Sequence, residues 1–234
     1  MNKTILITGA SRGLGLCLAK KYLEDGDTVF AGARDTSSSI LKVLKDKYPN
    51  TLIPVAIEVT DTNSVNEAAR LVGEYTKSLD IIFNNAAIHN SSSFEILEKA
   101  DIDDCLPVYD VNSLGPLRVV KAFIELIRKG DEPKIINIST ESASISTCGR
   151  EKEFDYCMSK AALNMGTKLL ANYLKKDNVI VLAVHPGWMR TDMGGTNADL
   201  DPYETACHLV ELVKNINNIN SPVFIDNNGD SFPW

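Results

Sequence analysis

The sequence predicts an α/β fold, a doubly wound parallel sheet with helices on both faces, and three observations predict it. Short, almost uniformly apolar and β-branched segments recur with helical patterns between them. Strands of that kind are covered on both sides, unlike the alternating strands of an antiparallel sheet with one wet face. The first such segment runs directly into a glycine-rich turn and then a helical pattern. No internal repeat or compositional break interrupts the alternation, so the 234 residues read as a single domain, 1–234.

Lys3–Thr8 (KTILIT) is the first strand, and Gly9-Ala-Ser-Arg-Gly13-Leu-Gly15 is the turn that follows it, with helical periodicity from Leu14 to Leu23. Strand, glycine turn and helix in that order are the Rossmann-type context for a dinucleotide. Gly9 allows the tight turn, Gly13 lets the backbone approach a pyrophosphate, and Gly15 permits close packing of helix on strand. The helix N-terminus then presents free N–H groups to the anion. The remaining strands are Thr28–Ala33, Leu52–Ile57, Ile81–Asn84, Lys134–Ser139, Val179–Val184 and Val223–Ile225. In such sheets the ligand crevice lies beyond the carboxyl ends of the strands, where Gly9, Arg34, Glu58, Asn84, Thr140 and Pro186 fall.

Composition excludes several function classes. Hydrophobic residues make up 44% and charged residues 24%, ordinary for a globular chain. A formal net charge of −7 gives no basic footprint for nucleic acid, and no apolar run is long enough to span a bilayer. The five cysteines are scattered and never spaced C-x-x-C, and the start MNKTILIT lacks the layout of a secretion signal, so reduced thiols and a cytoplasmic location are expected. His89, His185 and His208 stand apart from one another and from any cysteine pair, and no metal is expected.

Tyr156 and Lys160 lie four positions apart in FDYCMSKAALNM, a stretch of helical period, which places a phenol and an ammonium on one helix face. A free phenol, with its pKa near about 10, is a poor proton donor to a carbonyl. An adjacent ammonium favours the phenolate, so Lys160 is expected to lower the Tyr156 pKa toward working pH and make one residue a reversible acid and base.

Thr8-Gly9-x-x-x-Gly13-x-Gly15 followed far downstream by Tyr156-x-x-x-Lys160 resembles the short-chain dehydrogenase/reductase family. HPGWMRTDMGG and the closing Pro-Trp resemble its C-factor-like and sniffer-like carbonyl reductase branch, which includes a protein described as an intercellular developmental signal. The resemblance implies hydride transfer between a nicotinamide cofactor and a small carbonyl or alcohol substrate, with Tyr156, Lys160, Thr140 and Asn112 as the catalytic set. Thr140, flanked by Ser139 and Ser142, takes the place of the family serine that positions the carbonyl; threonine keeps the hydroxyl, but its methyl narrows the pocket. Asn112 takes the place where an asparagine side chain and backbone hold a water on the proton path to Lys160.

By the same resemblance, Gly9, Ser11, Arg12, Gly13, Leu14, Gly15, Arg34, Glu58, Val59, Asn85, Ala86, Pro186, Gly187, Met189 and Thr191 join Tyr156 and Lys160 around the cofactor. The acidic position that marks NAD falls on Ala33; Arg34 follows it, and Arg12 is expected to point toward the same region. Two guanidinium groups suit a 2′-phosphate, so NADP is favoured over NAD, with Asp35 as the complication and a solvated charge as the bland alternative for Arg34. Ser37, Ser38 and Ser39 either add hydroxyl contacts or open the next helix, and His185 is either part of the site or a packed core histidine. Phe94, Ile145, Trp188, Met189 and Met193 are the expected substrate walls, reshaped by the longer interval Thr147–Glu153, with Met189–Tyr203 as a lid. A homo-oligomer, dimer or tetramer, is expected. The competing reading is a dinucleotide-binding signalling or redox-sensing protein with vestigial catalysis.

Overall fold

The structure is a computed structural model that describes residues 2–234. Its strands are β1 (Thr4–Thr8), β2 (Thr28–Ala33), β3 (Leu52–Ala56), β4 (Ile81–Asn84), β5 (Lys134–Ile138), β6 (Ile180–His185) and β7 (Phe224–Asp226). All pair in parallel in the order β3-β2-β1-β4-β5-β6-β7, the doubly wound sheet expected from the run of apolar segments. Strand ends differ from the sequence reading by a residue or two, as at Ser139, which lies just beyond β5. Pro54 sits in β3, an edge strand, where a missing N–H is tolerated.

The helices are α1 (Gly13–Glu24), α2 (Ser39–Lys47), α3 (Thr62–Tyr75), α4 (Cys105–Tyr109), α5 (Gly115–Ile127), α6 (Phe154–Leu174) and α7 (Pro202–Asn215). Successive strand residues point to opposite faces. Thus Ile5 and Ile7 of β1 pack with α1, α2 and α7, whereas Leu6 packs with α3 and α5 on the other face. This two-sided burial is why the strands read as continuous apolar runs rather than alternating ones.

The order in which strands are added reverses after β3, so β2 and β4 flank β1 on opposite sides. The helices that follow β1 and β4 therefore cover opposite faces of the sheet, and the crevice lies between them at its carboxyl end. A single turn of π-helix, Asp110–Leu114, joins α4 to α5 and carries Asn112. Such one-turn bulges are commonly found at functional sites, because the extra residue re-aims a side chain.

Candidate active site

Gly9 has φ +68°, and a Cβ there would press on the Ala86 Cα and the Asn85 amide at 3.0 Å, so the turn admits only glycine. Gly15 is tighter, since a Cβ would meet the Gly9 carbonyl oxygen at 2.4 Å and the Asn85 amide nitrogen at 2.5 Å. Gly15→Ala is therefore expected to destabilise the fold by about 1–3 kcal/mol through overpacking, read as a fall in thermal midpoint. At Gly13, by contrast, a Cβ would meet only the Thr191 side chain at 3.6 Å, and otherwise would fill the space above the turn. The N-terminus of α1 has no side-chain cap and no acidic residue in its first turn, whereas Asp61 and Asp201 cap α3 and α7. Bare N–H groups beneath an open glycine fit a pyrophosphate.

The residues expected around that cradle divide into those that face it and those already engaged. Thr8, which sequence reasoning had left without a role, accepts hydrogen bonds through its hydroxyl from the Asn85 and Ala86 amides, both at 3.1 Å, and so locks the β1 and β4 loops together. The Asn85 side chain donates to the Thr8 and Gly9 carbonyls at 3.0 and 3.2 Å; it supports the turn. Thr191 accepts from the Gly194 amide and lays its methyl beside Gly13. Pro186 is buried, and Gly187 has φ +90° with Leu200 against it, while Met189 pairs with Leu200 along the same loop. Ser11 is half-buried in the turn and Leu14 is buried.

Among the described residues, two of the expected side chains and the expected lid are engaged within the chain, and Arg34 is not. Arg12 pairs with Asp192 at 3.1 Å, held by the loop after β6, so its guanidinium is already engaged there. Arg34 is exposed and, among the described residues, no carboxylate pairs with it; Asp35 turns away to accept from the Ser37 amide and hydroxyl at 2.7 and 2.6 Å. The Glu58 carboxylate folds back to accept from the Thr60 amide and hydroxyl at 3.2 and 3.0 Å, and the Val59 side chain is buried against Gly115 while its carbonyl accepts from Arg118 Nη1 at 3.3 Å. The segment Met189–Tyr203 is closed on itself by Arg190 N–H to Leu200, Leu200 N–H to Trp188 and Trp188 Nε1 to Gly194, and Tyr203 already belongs to α7.

The reaction centre forms where the end of β5 meets the first turns of α6. Lys160 is buried at 2% exposure; its Nζ donates to the Ile138 carbonyl at 2.7 Å and lies 5.8 Å from the centre of the Tyr156 ring. Of the three candidate hydroxyls, Ser139 is buried and spent on Asn164 Oδ1 at 2.7 Å. Thr140 is the one whose hydroxyl acts on the Tyr156 phenol, in the direction that lowers its pKa; it donates to Ser142 Oγ at 3.3 Å, while its oxygen accepts from the Ser142 amide at 3.2 Å and so caps the short turn Glu141–Ala143.

The electrostatics depart from the sequence expectation. Burial first, then the Glu153 carboxylate and Cys157, hold the Tyr156 phenol well above its ordinary pKa, with Arg150 and the Thr140 hydroxyl acting in the opposite sense. Burial likewise pushes the Lys160 ammonium down to about 7. Desolvation favours the neutral form of each group, against the lowering of Tyr156 by Lys160 that helical spacing alone suggests.

The Asn112 side chain is held by partners within the chain. Its amide nitrogen donates to the Ile88 carbonyl at 2.8 Å and to Ser159 Oγ at 3.0 Å, and its oxygen accepts from the Ile88 amide at 2.9 Å. Both donors are spent, so the side chain has none to offer a water. Ser159 Oγ passes the contact on to the Tyr156 carbonyl at 2.8 Å, and Ser113 Oγ donates to the Ser159 carbonyl at 2.7 Å. The π-turn is thereby bolted to the helical turn bearing Tyr156. Asn84 bonds Asn137 and Asn137 bonds Thr167, each at 2.8 Å, continuing a buried polar seam under α6. Polar residues at 160, 164 and 167, at helical spacing, were the available signal for that seam.

His185 packs its ring edge-on against Phe232 at 5.4 Å and accepts at Nδ1 from the Glu141 amide at 3.1 Å, a structural engagement near the site. Of the expected substrate walls, Phe94, Ile145, Trp188 and Met193 are exposed, while Met189 packs on the core. Among the described residues no group of His, Cys, Asp and Glu is arranged to hold a metal ion, and no helix is long and apolar enough to cross a membrane.

A profile described as short chain dehydrogenase matches residues 3–200. The NADPH-bound carbonyl reductase from chicken fatty liver superposes with a TM-score of 0.91 at 30% identity, covering 100% of this chain and 99% of that one. Carbonyl reductase Sniffer of D. melanogaster does so with a TM-score of 0.91 at 26% identity, covering 100% of each chain. The C-signal of Myxococcus xanthus is 30% identical over 159 residues, 68% of this chain and 95% of that protein. With the parallel seven-stranded sheet, the glycine turn and the Tyr156–Lys160 helix all in place, the chain belongs to the short chain dehydrogenase family of oxidoreductases and resembles its sniffer-like carbonyl reductase branch.

Proposed function

We propose that the protein is an NADP(H)-dependent carbonyl reductase acting on a small ketone, quinone or aldehyde, and on the matching alcohol in reverse. The observation that carries this reading is the convergence of three groups from two elements: Lys160 beneath the Tyr156 ring at 5.8 Å from its centre, and the Thr140 hydroxyl from the end of β5 acting on the same phenol in the direction that lowers its pKa. The uncapped α1 terminus, Gly13 and Thr191 would hold the pyrophosphate, and Lys160 the nicotinamide ribose. When bound, the nicotinamide supplies or accepts the hydride.

The chain's own residues handle the oxygen and its proton. Thr140 donates a hydrogen bond to the substrate carbonyl and orients it. Tyr156 delivers the proton to the oxygen as charge develops there, and the Lys160 ammonium stabilises the phenolate left behind. Because burial keeps Tyr156 protonated, the form stored by the site is the one that reduction consumes. Asn112 acts through Ser159 as a positioning residue for this turn rather than touching the reacting atoms.

Arg34 supports NADP over NAD, being exposed, unpaired among the described residues and next to Ala33 where an acid would mark NAD. Arg34→Asp is expected to weaken NADPH binding about tenfold to a hundredfold by removing charge-assisted hydrogen bonds to the 2′-phosphate, with NADH binding left as it was. Fluorescence titration of both cofactors checks this. The chicken carbonyl reductase binds NADPH, as its description states, in agreement with that choice. A homo-oligomer fits the apolar outer face of α6, where Met158, Met165, Leu169 and Tyr173 are exposed at helical spacing.

The test is turnover of NADPH with a quinone, a vicinal diketone and an aromatic aldehyde. Similarity to the C-signal favours a second reading, a dinucleotide-binding signalling protein. Tight NADPH binding with no turnover on the whole panel would replace the first reading with the second.

A further inference from the structure

We propose that His185 is a positioning residue for Thr140, acting through the main chain of Glu141; this rests on the carbonyl reductase reading and goes beyond its four-residue set. His185 ends β6, and its Nδ1 faces the Glu141 N–H at 3.1 Å, so that nitrogen carries no proton and the imidazole is neutral. Glu141 is the residue after Thr140, in the short turn whose first free amide, Ser142 N–H, is capped by the Thr140 oxygen. Fixing Glu141 therefore fixes the turn that sets the direction of the Thr140 hydroxyl.

The imidazole is itself held from behind. Phe232 meets it edge-on at 5.4 Å and packs on Phe224 at 5.1 Å, while the Phe232 N–H bonds the Phe224 carbonyl at 2.9 Å. Trp234 packs on Phe224 at 5.4 Å, and its main-chain oxygen accepts from the Ser146 amide at 2.8 Å. The segment 141–146 is thus fastened at one end by His185 and at the other by the chain after β7.

Protonation at Nδ1 would set a donor against the Glu141 N–H and release the first fastening. The charged groups facing His185 are the carboxylates of Glu141 and of Asp226, its partner across β6 and β7; both favour the imidazolium. Arg150 pairs with the Glu141 carboxylate at 3.1 Å, and burial outweighs the two acids, so the imidazole protonates below its ordinary range. The expected consequence is an acid limb in kcat that belongs to His185.

Two variants separate the contributions. His185→Phe keeps a ring against Phe232 without the acceptor, and His185→Asn keeps an acceptor near the place of Nδ1 without the titration. At neutral pH the Phe variant is expected to lower kcat about tenfold, the rate equivalent of one lost hydrogen bond, with the NADPH dissociation constant unchanged. The Asn variant is expected to keep kcat and to lose the acid limb. The Glu141 amide resonance, followed by 15N–1H NMR, should titrate in the wild type with the midpoint of that limb and not in the Asn variant. A Phe variant with wild-type kcat, or an Asn variant that keeps the acid limb, overturns the proposal. Absence of turnover in the wild type instead overturns the enzymatic reading, and the amide titration still reports whether His185 holds the turn.

Discussion

Tyr156→Phe is expected to lower kcat/KM for carbonyl reduction by about a hundredfold to ten-thousandfold, the contribution of a positioned general acid. NADPH affinity should hold, since the ring and its packing remain. The change removes one oxygen from a half-buried position on which the Thr140 hydroxyl acts. A structural loss would lower the thermal midpoint along with turnover; a chemical loss leaves the midpoint in place. Steady-state kinetics, cofactor titration and thermal unfolding of one preparation distinguish these, and full turnover in the variant would remove Tyr156 from the mechanism.

Lys160→Met is expected to abolish reduction and weaken NADPH binding while making the folded protein more stable at and below neutral pH. In the unfolded chain the ammonium persists to the ordinary lysine value of 10.5, but in the folded protein only to about 7. Between those values the unfolded state binds more protons, so stability rises with pH across that window. Below about 7 both states are charged, and the fold bears the full penalty of the buried ammonium, on the order of 5 kcal/mol at the limit. Methionine removes the charge and retains most of the bulk, but leaves the Ile138 carbonyl unpaired at about 1–3 kcal/mol. The balance is a gain of about 2–4 kcal/mol, or roughly 4–16 °C in thermal midpoint for a chain of this size. The gain should shrink as pH rises toward 10.5. A variant less stable than wild type at acidic pH, by an amount independent of pH, would show that the ammonium is compensated by neighbours rather than buried alone. The opposite signs of the activity and stability effects express a general trade-off at sites where function retains a costly group.

Much of the fold was legible without coordinates. Apolar segments such as Thr28–Ala33 and Ile81–Asn84 match β2 and β4 residue for residue, because a strand covered on both faces leaves a continuous apolar run. The glycine turn was legible for a similar reason: positive φ at Gly9 and the crowding at Gly15 leave no choice of residue. The π-turn at Asp110–Leu114 was not, since one extra residue in a helix does not alter hydrophobic periodicity enough to show. Nor were the partners of Arg12 and Glu58. Arg12 lies 180 positions from the aspartate that it pairs with, and Glu58 turns on a local choice between its own loop and the crevice.

The sequence by itself determined the parallel α/β sheet, the uncapped glycine turn, and a phenol and ammonium on one helix face. Each follows from spacing along a strand, a turn or a helix, and spacing is written directly in the chain. Only the tertiary structure decided which of Ser139, Thr140 and Ser142 acts on Tyr156, that the Asn112 side chain has no donor left over, and that burial raises the phenol while depressing the ammonium. Those outcomes depend on which distant groups converge and how much water they exclude, and neither is a function of local spacing.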